Sequence, residues 1–264
     1  MIKNLSIGRY IETNSFIHHL DPRTKLIGVI VFVTILMLSY TWQHYVFLSI
    51  YSFLMIFLTQ IPIRFFLKGV KPLLKIIIFT AVLQALFTGG GTIYWQWGPF
   101  RLTEIGLRSA GNIFIRFSLI VILTSIVGLS TKPFDLTAGV ENLLYPFKLV
   151  GFAVSDLALM MMIALRFIPT LFDEANRLKN AQEARGMQFD GGNFMQRIRK
   201  FLPLFVPIFI HSFYRAQELA NVLDVRCYVG SAKRTSFKLL KLTFNDFIFV
   251  SSLGVLWILF FIKK

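Results

Sequence analysis

From Leu26 to Ile63 this chain carries no Asp, Glu, Lys or Arg, and few surroundings other than a lipid bilayer accept a run of that length. A helix needs roughly 20 mainly apolar residues to cross the hydrocarbon, so the run can hold two spans with a short turn between them. Three more charge-free stretches follow: Ile76 to Phe100, Phe117 to Thr131 and Phe247 to Ile262. Over 264 residues, 55% are hydrophobic, 16% are charged and the mean hydropathy is +0.65, whereas soluble domains carry about 25% charged residues. The chain reads as an all-α membrane protein with about five transmembrane helices plus long, charged helices on the cytoplasmic side.

Placement of charge gives the expected topology. Lys+Arg number 28 against 13 Asp+Glu, a net charge of +15. These basic residues flank apolar runs instead of forming a single face, which points to lipid head groups and not to nucleic acid. Asp21-Pro22 sets an N-cap acceptor before a proline at the first helical position. Span one is expected over about Leu26–Tyr40, span two over Tyr45–Ile63, span three over Ile76–Phe87 and span four over Ile113–Leu129. Lys3, Arg9, Arg23 and Lys25, the Arg64–Lys75 segment and the stretch after Lys132 share one side, which positive-inside logic makes cytoplasmic. The connectors near His44 and near Tyr94, Trp95 and Trp97 fall outside, and a fifth span over Phe247–Ile262 leaves Lys263 and Lys264 outside as well. Met1–His19 has no apolar core followed by a small-residue cleavage site, so no removable signal peptide is expected. The expected division is a four-span region 1–131, a cytoplasmic-side region 132–243 and a C-terminal span 244–264.

Past Lys132 the chain changes character. Leu157–Arg185 starts apolar and ends charged, with Pro169 inside. At 1.5 Å per residue it would be about 45 Å long, and its charged second half argues against a bilayer crossing. Phe201–Phe213 is apolar but short and holds Pro203 and Pro207, which suits a re-entrant or interfacial segment.

A weak repeat at an offset of 41 residues links these helices. Phe172, Ala175, Leu178, Asn180 and Arg185 correspond to Phe213, Ala216, Leu219, Asn221 and Arg226. Each copy ends in acid, small residue, arginine, small residue: Glu183-Ala184-Arg185-Gly186 and Asp224-Val225-Arg226-Cys227. Gly186 is a natural C-terminal cap. One arginine in a last helical turn merely offsets the helix dipole. Two such ends beside a membrane favour docking, because a planar guanidinium can grip carboxylates or terminal helix carbonyls of a partner.

The run Ser15-Phe16-Ile17-His18-His19-Leu20-Asp21-Pro22-Arg23-Thr24-Lys25-Leu26 resembles the entry to the first span in the transmembrane (T) component of energy-coupling-factor transporters, the EcfT/CbiQ-like family. Ala184-Arg185-Gly186 resembles the first of that family's two Ala-Arg-Gly-like motifs. Val225-Arg226-Cys227 resembles the second, keeping the arginine and changing both flanks. The resemblance implies a non-catalytic subunit of a multi-pass, ATP-driven importer in the bacterial cell membrane. Its partners would be two ABC-type ATPase subunits, a substrate-binding S component and membrane lipids, with no cofactor of its own. It would pass ATP-driven motion through two coupling helices to an S component that carries a vitamin, another micronutrient or a metal ion. Glu183, Ala184, Arg185, Gly186, Asp224, Val225, Arg226 and Cys227 would then dock the ATPases. Leu157, Met160, Met161, Ile163, Leu204 and Phe205 would touch the S component, the methionines as an adaptable surface.

Other chemistry finds little support. His18, His19, His44 and His211 are adjacent or isolated and lack i, i+4 ligand spacing, and one cysteine, Cys227, permits no multi-cysteine site. Gly89-Gly90-Gly91-Thr92 lacks the Gly-Lys-Ser/Thr ending of a phosphate loop. A self-sufficient secondary carrier, the alternative reading, would want ionisable groups near the bilayer midplane. Arg116 is the one charge well inside an apolar run, and snorkelling to the interface is its expected role.

Overall fold

The computed structural model describes residues 10–39, 41–97, 100–187, 189, 191, 194–230 and 240–262; Lys3, Arg9, Lys263 and Lys264 lie outside them. Helix α1 spans Pro22–Leu38, α2 Trp42–Thr59, α3 Ile63–Phe87, α4 Glu104–Ser130, α5 Pro133–Leu144, α6 Val154–Ala184, α7 Phe194–Val225 and α8 Phe244–Ile262. Strands β1 (Ile93–Trp97) and β2 (Phe100–Thr103) form an antiparallel hairpin between α3 and α4, and a 3-10 segment, Tyr145–Val150, precedes α6. The chain divides into two compact units: Met1–Leu143 with Leu239–Lys264, and Leu144–Lys238.

The helices follow the charge-free runs but outlast them. Span three was expected from Ile76, yet α3 starts at Ile63 and includes the basic segment, with Arg64, Lys71 and Lys75 exposed. Lys and Arg are good helix formers, so charge marks where hydrocarbon ends and not where the helix ends. Likewise α4 starts at Glu104, where Thr103 Oγ1 caps the helix by accepting from the Gly106 N–H at 3.1 Å. By length and composition, α2, the Gly69–Phe87 part of α3, α4 and α6 could each cross a membrane. Helix α1 is 17 residues, and the apolar stretch described in α8, Phe244–Ile258, is also shorter. The apolar first half of α6 thus qualifies on composition, although the charge of the whole helix argued against a crossing.

The first unit is held at helix ends as well as in its core. Phe32, Ile35, Leu36, Leu48, Phe66, Leu119, Leu123 and Ile126 are buried together. Gly28 lets α8 approach α1, since a Cβ there would lie 2.6 Å from Phe249 Cε1. Around the N-terminal segment, several helix ends meet. Ile11 N–H donates to Leu129 O (3.0 Å), Thr13 Oγ1 to Thr59 O (3.1 Å), and Asp21 N–H to Asp246 Oδ1 (2.8 Å). Buried Lys25 donates to Ser130 O and Thr131 Oγ1, each at 3.1 Å. The starts of α1 and α8 and the ends of α2 and α4 therefore lie on one side.

His18 completes this clasp. Its Nε2–H donates to Ile11 O at 2.9 Å while Nδ1 accepts from Ser15 Oγ at 2.6 Å. Burial lowers its pKa below the ordinary value of 6.5, which suits a neutral ring holding one proton.

Arg116 finds acceptors within the protein, beside the connector between α1 and α2. Half-buried, it donates through Nη2 to Ser39 O (3.0 Å) and to Tyr45 Oη (2.8 Å), while Tyr45 Oη donates to the same carbonyl (2.9 Å). Ser39 is the C-cap of α1, so the guanidinium meets the orphan carbonyl and negative dipole end of that helix.

Candidate coupling helices and their arginine ends

The second unit is built on α6 and α7. The apolar segment Phe201–Phe213, expected as a short interfacial piece, is instead the middle of a continuous helix of 32 residues with Pro203 and Pro207 inside. Prolines four apart put both missing N–H donors on one face, which bends a helix without ending it. Helix α6 similarly continues through Pro169.

The two helices run in opposite directions. Asp156, in the first turn of α6, accepts from Tyr228 Oη just past the end of α7 at 3.3 Å. Midway, Glu174 meets His211 Nδ1 at 3.1 Å and Arg215 Nη2 at 3.0 Å. At the turn between the helices the rings of Phe189 and Phe201 lie 6.0 Å apart, and Lys200 Nζ donates to Gly191 O at 3.2 Å. The arginine ends consequently point opposite ways, on the order of 35 Å apart along the pair at 1.5 Å per residue.

Those ends share one backbone. Arg185 N–H donates to Ala181 O and Arg226 N–H to Val222 O; Gly186 N–H donates to Glu183 O and Cys227 N–H to Asp224 O; Met187 N–H donates to Gln182 O and Tyr228 N–H to Leu223 O. All six bonds are 2.9–3.2 Å and repeat at the 41-residue offset. This is the Schellman pattern, which satisfies the last carbonyls of a helix and requires a left-handed residue just past its end. Gly186 (φ 86°) and Cys227 (φ 55°) take that place. Glycine adopts it freely, whereas a residue with a Cβ is strained there. Tight caps leave Glu183, Ala184, Arg185, Gly186, Asp224, Val225, Arg226 and Cys227 all exposed. Among the described residues neither guanidinium has an ion pair, while Glu183 is held by Lys179 at 3.4 Å.

Away from the ends the apolar surface is open. Leu157, Met160, Met161 and Phe205 are exposed and Ile163 is half-exposed, but Leu204 is buried. Leu204, Ile208, His211 and Arg215 follow one another at helical spacing along α7, with Leu204 buried and the His211 side chain 60% exposed. Phe201, Phe205, Phe209 and Phe213, four apart and 55–66% exposed, form a second row, with Phe205 and Phe209 stacked at 6.3 Å. The sequence points to the apolar run Phe201–Phe213 and singles out Phe205; the i, i+4 spacing within that run carries the rest of the stripe. Among the described residues no cluster of His, Cys, Asp and Glu could hold a metal ion.

Apolar helices long enough to cross a membrane, joined to a charged helix pair with matching arginine ends, define a multi-pass membrane component. The family model for CbiQ, described as cobalt transport protein, matches residues 13–237. The energy-coupling factor transporter transmembrane protein EcfT of Lacticaseibacillus paracasei is 44% identical over 252 residues, 96% of each chain. The protein named EcfT 1 in Listeria monocytogenes is 42% identical over 248 residues, 94% of this chain and 93% of its own. The EcfT of Streptococcus thermophilus is 38% identical over 98% of this chain and 99% of its own. The chain belongs to the CbiQ/EcfT family of energy-coupling factor transporter transmembrane proteins, non-catalytic transport components of the bacterial cell membrane.

Proposed function

We propose that this chain couples two ABC-type ATPase subunits to a substrate-binding S component, passing ATP-driven motion to a carrier of a vitamin, another micronutrient or a metal ion. The observation that carries this reading is the duplicated helix end: two exposed arginines, each presented by the same Schellman cap at the end of its own long helix. One such end suits a helix dipole; two in opposite directions suit two copies of one type of partner. In this reading Glu183–Gly186 engage one ATPase and Asp224–Cys227 the other, each arginine reaching acceptors in a groove. Leu157, Met160, Met161, Ile163 and the phenylalanine stripe face the S component, and buried Leu204 supports that surface from below. The clasp side of the first unit, rich in basic residues, faces the cytoplasm. Residues 1–131 and 244–264 then form the membrane anchor and 132–243 the coupling region.

The test is purification of the tagged chain from its own cell, with identification of what travels with it. Two ATPase subunits and an S component are expected, and ATP hydrolysis should be found only when the ATPases are present. A chain that purifies alone and moves a solute down an ion gradient in liposomes would establish the secondary carrier instead.

A further inference from the structure

Helix pairs are normally kept in register by interlocking buried side chains. In the second unit only Val154, Ala158 and Leu204 are buried among the described apolar residues. Such a sparse interior leaves sliding and rotation of α7 against α6 weakly opposed. Among the described residues polar contacts cross the pair at two places: Tyr228 on Asp156 near one end, and Glu174 midway. Glu174, whose side chain is 15% exposed, sits on α6 with Oε1 3.1 Å from His211 Nδ1 and Oε2 3.0 Å from Arg215 Nη2. His211 and Arg215 are one helical turn apart on α7, so each oxygen holds a different turn. A shift of one residue along α7, about 1.5 Å with a turn of about 100°, would break at least one contact.

The position of the bridge matters as much as its bonds. Glu174 lies five residues beyond Pro169 and His211 four beyond Pro207. Past these points both helices run without proline to Arg185 and Arg226. Each helix thus has a proline, then the bridge, then a proline-free arm ending in an arginine.

We infer that Glu174 is a positioning residue: by gripping His211 and Arg215 together it fixes the two arms to each other, so that displacement of one arginine end is passed to the other. The transmission part rests on the coupling function proposed above, whereas the fixed geometry does not.

Spin labels at Asn180→Cys and Asn221→Cys, both exposed, in a Cys227→Ser background report the distance between the arms in the full chain in nanodiscs. A single narrow distribution is expected. Glu174→Ala should widen it at least twofold, and exchanging the charges with Glu174→Arg and Arg215→Glu should narrow it again. In the complex with co-expressed ATPases, MgATP should shift the distance, and Glu174→Ala should abolish that shift while the ATPases still co-purify. A narrow distribution in Glu174→Ala, or no recovery on charge exchange, overturns the proposal. Where Glu174→Ala does not assemble, Arg215→Gln keeps the Glu174–His211 contact and should give an intermediate width. Failure of both variants to assemble would make the bridge a folding contact and equally overturn it. If the unsubstituted chain captures no ATPase, the coupling function fails while the distance measurement still decides the geometry.

Discussion

In the first unit Phe32, Leu36, Tyr45 and Thr59 are almost wholly shielded, and even Lys25 and Asp246 are buried with their hydrogen bonds made. In the second, the described residues of α6 and α7 meet through Asp156–Tyr228 and through Glu174 with His211 and Arg215, and a row of phenylalanines lies open. The first unit supplies its own interior, whereas the second leaves most of its apolar surface uncovered, as the proposed partner-binding role requires. Helices that must transmit motion gain from few buried contacts, because each interlocked side chain would have to be undone for them to move.

The strongest way to test this contrast is to break a polar contact in each unit. Asp246→Ala strands the Asp21 N–H and the Thr243 donors in the first unit and removes a counter-charge near Lys25. It should cost about 3–5 kcal/mol, seen as a large fall in the detergent melting temperature. Glu174→Ala, in the second unit, should cost about 1 kcal/mol or less of global stability. Equal losses in the two variants would dissolve the distinction.

Next in size is the open surface. Phe205→Asp adds a charge where the side chain is already 66% exposed, so folding should be unaffected. Binding of the S component should fall by about 2 kcal/mol or more, as for loss of an aromatic anchor, with the ATPases still attached. Pull-down of each partner separately checks this, and retention of the S component would leave the stripe as lipid-facing packing.

Acidity should also act unevenly. The pKa of His18 is lowered by burial, so the folded clasp favours the neutral ring. Its contribution is fully present above the unfolded value of about 6.5 and is lost as pH falls through it toward the folded value. The melting temperature should therefore drop as pH falls below about 6.5, and His18→Asn should flatten that slope.

The smallest effect compares the two helix ends. Cys227 takes a left-handed conformation that glycine takes without strain, so Cys227→Gly should firm the second end by about 1 kcal/mol, and Gly186→Ala should loosen the first by about the same. Hydrogen exchange at the Tyr228 amide should slow about fivefold and that at Met187 should quicken about fivefold. Unchanged exchange at both would mean the caps are held by contacts beyond the helix ends.

Much of this was legible in sequence because the bilayer and the helix repeat are simple constraints. Charge-free runs marked the apolar parts of α1 to α4 and α8, and the 41-residue repeat marked two ends whose hydrogen bonds then proved equivalent. Helix length was less legible: the basic turns of α3 and the prolines of α7 looked like boundaries, yet neither charge nor two prolines on one face ends a helix. The bond between Asp21 and Asp246, 225 residues apart, left no local trace. The hairpin of β1 and β2 was hidden in an aromatic run that resembled an interfacial anchor. The acceptor of Arg116, the carbonyl ending α1, is a backbone group that no sequence pattern displays.

The most direct test of the account is co-purification of the ATPase subunits with Arg185→Ala, Arg226→Ala and the double variant, at equal membrane insertion. A charge-assisted contact desolvated at an interface is worth about 2–5 kcal/mol, so each single variant should retain part of the ATPase and the double variant essentially none. Undiminished ATPase on the double variant would contradict the assignment of the arginine ends as the docking points.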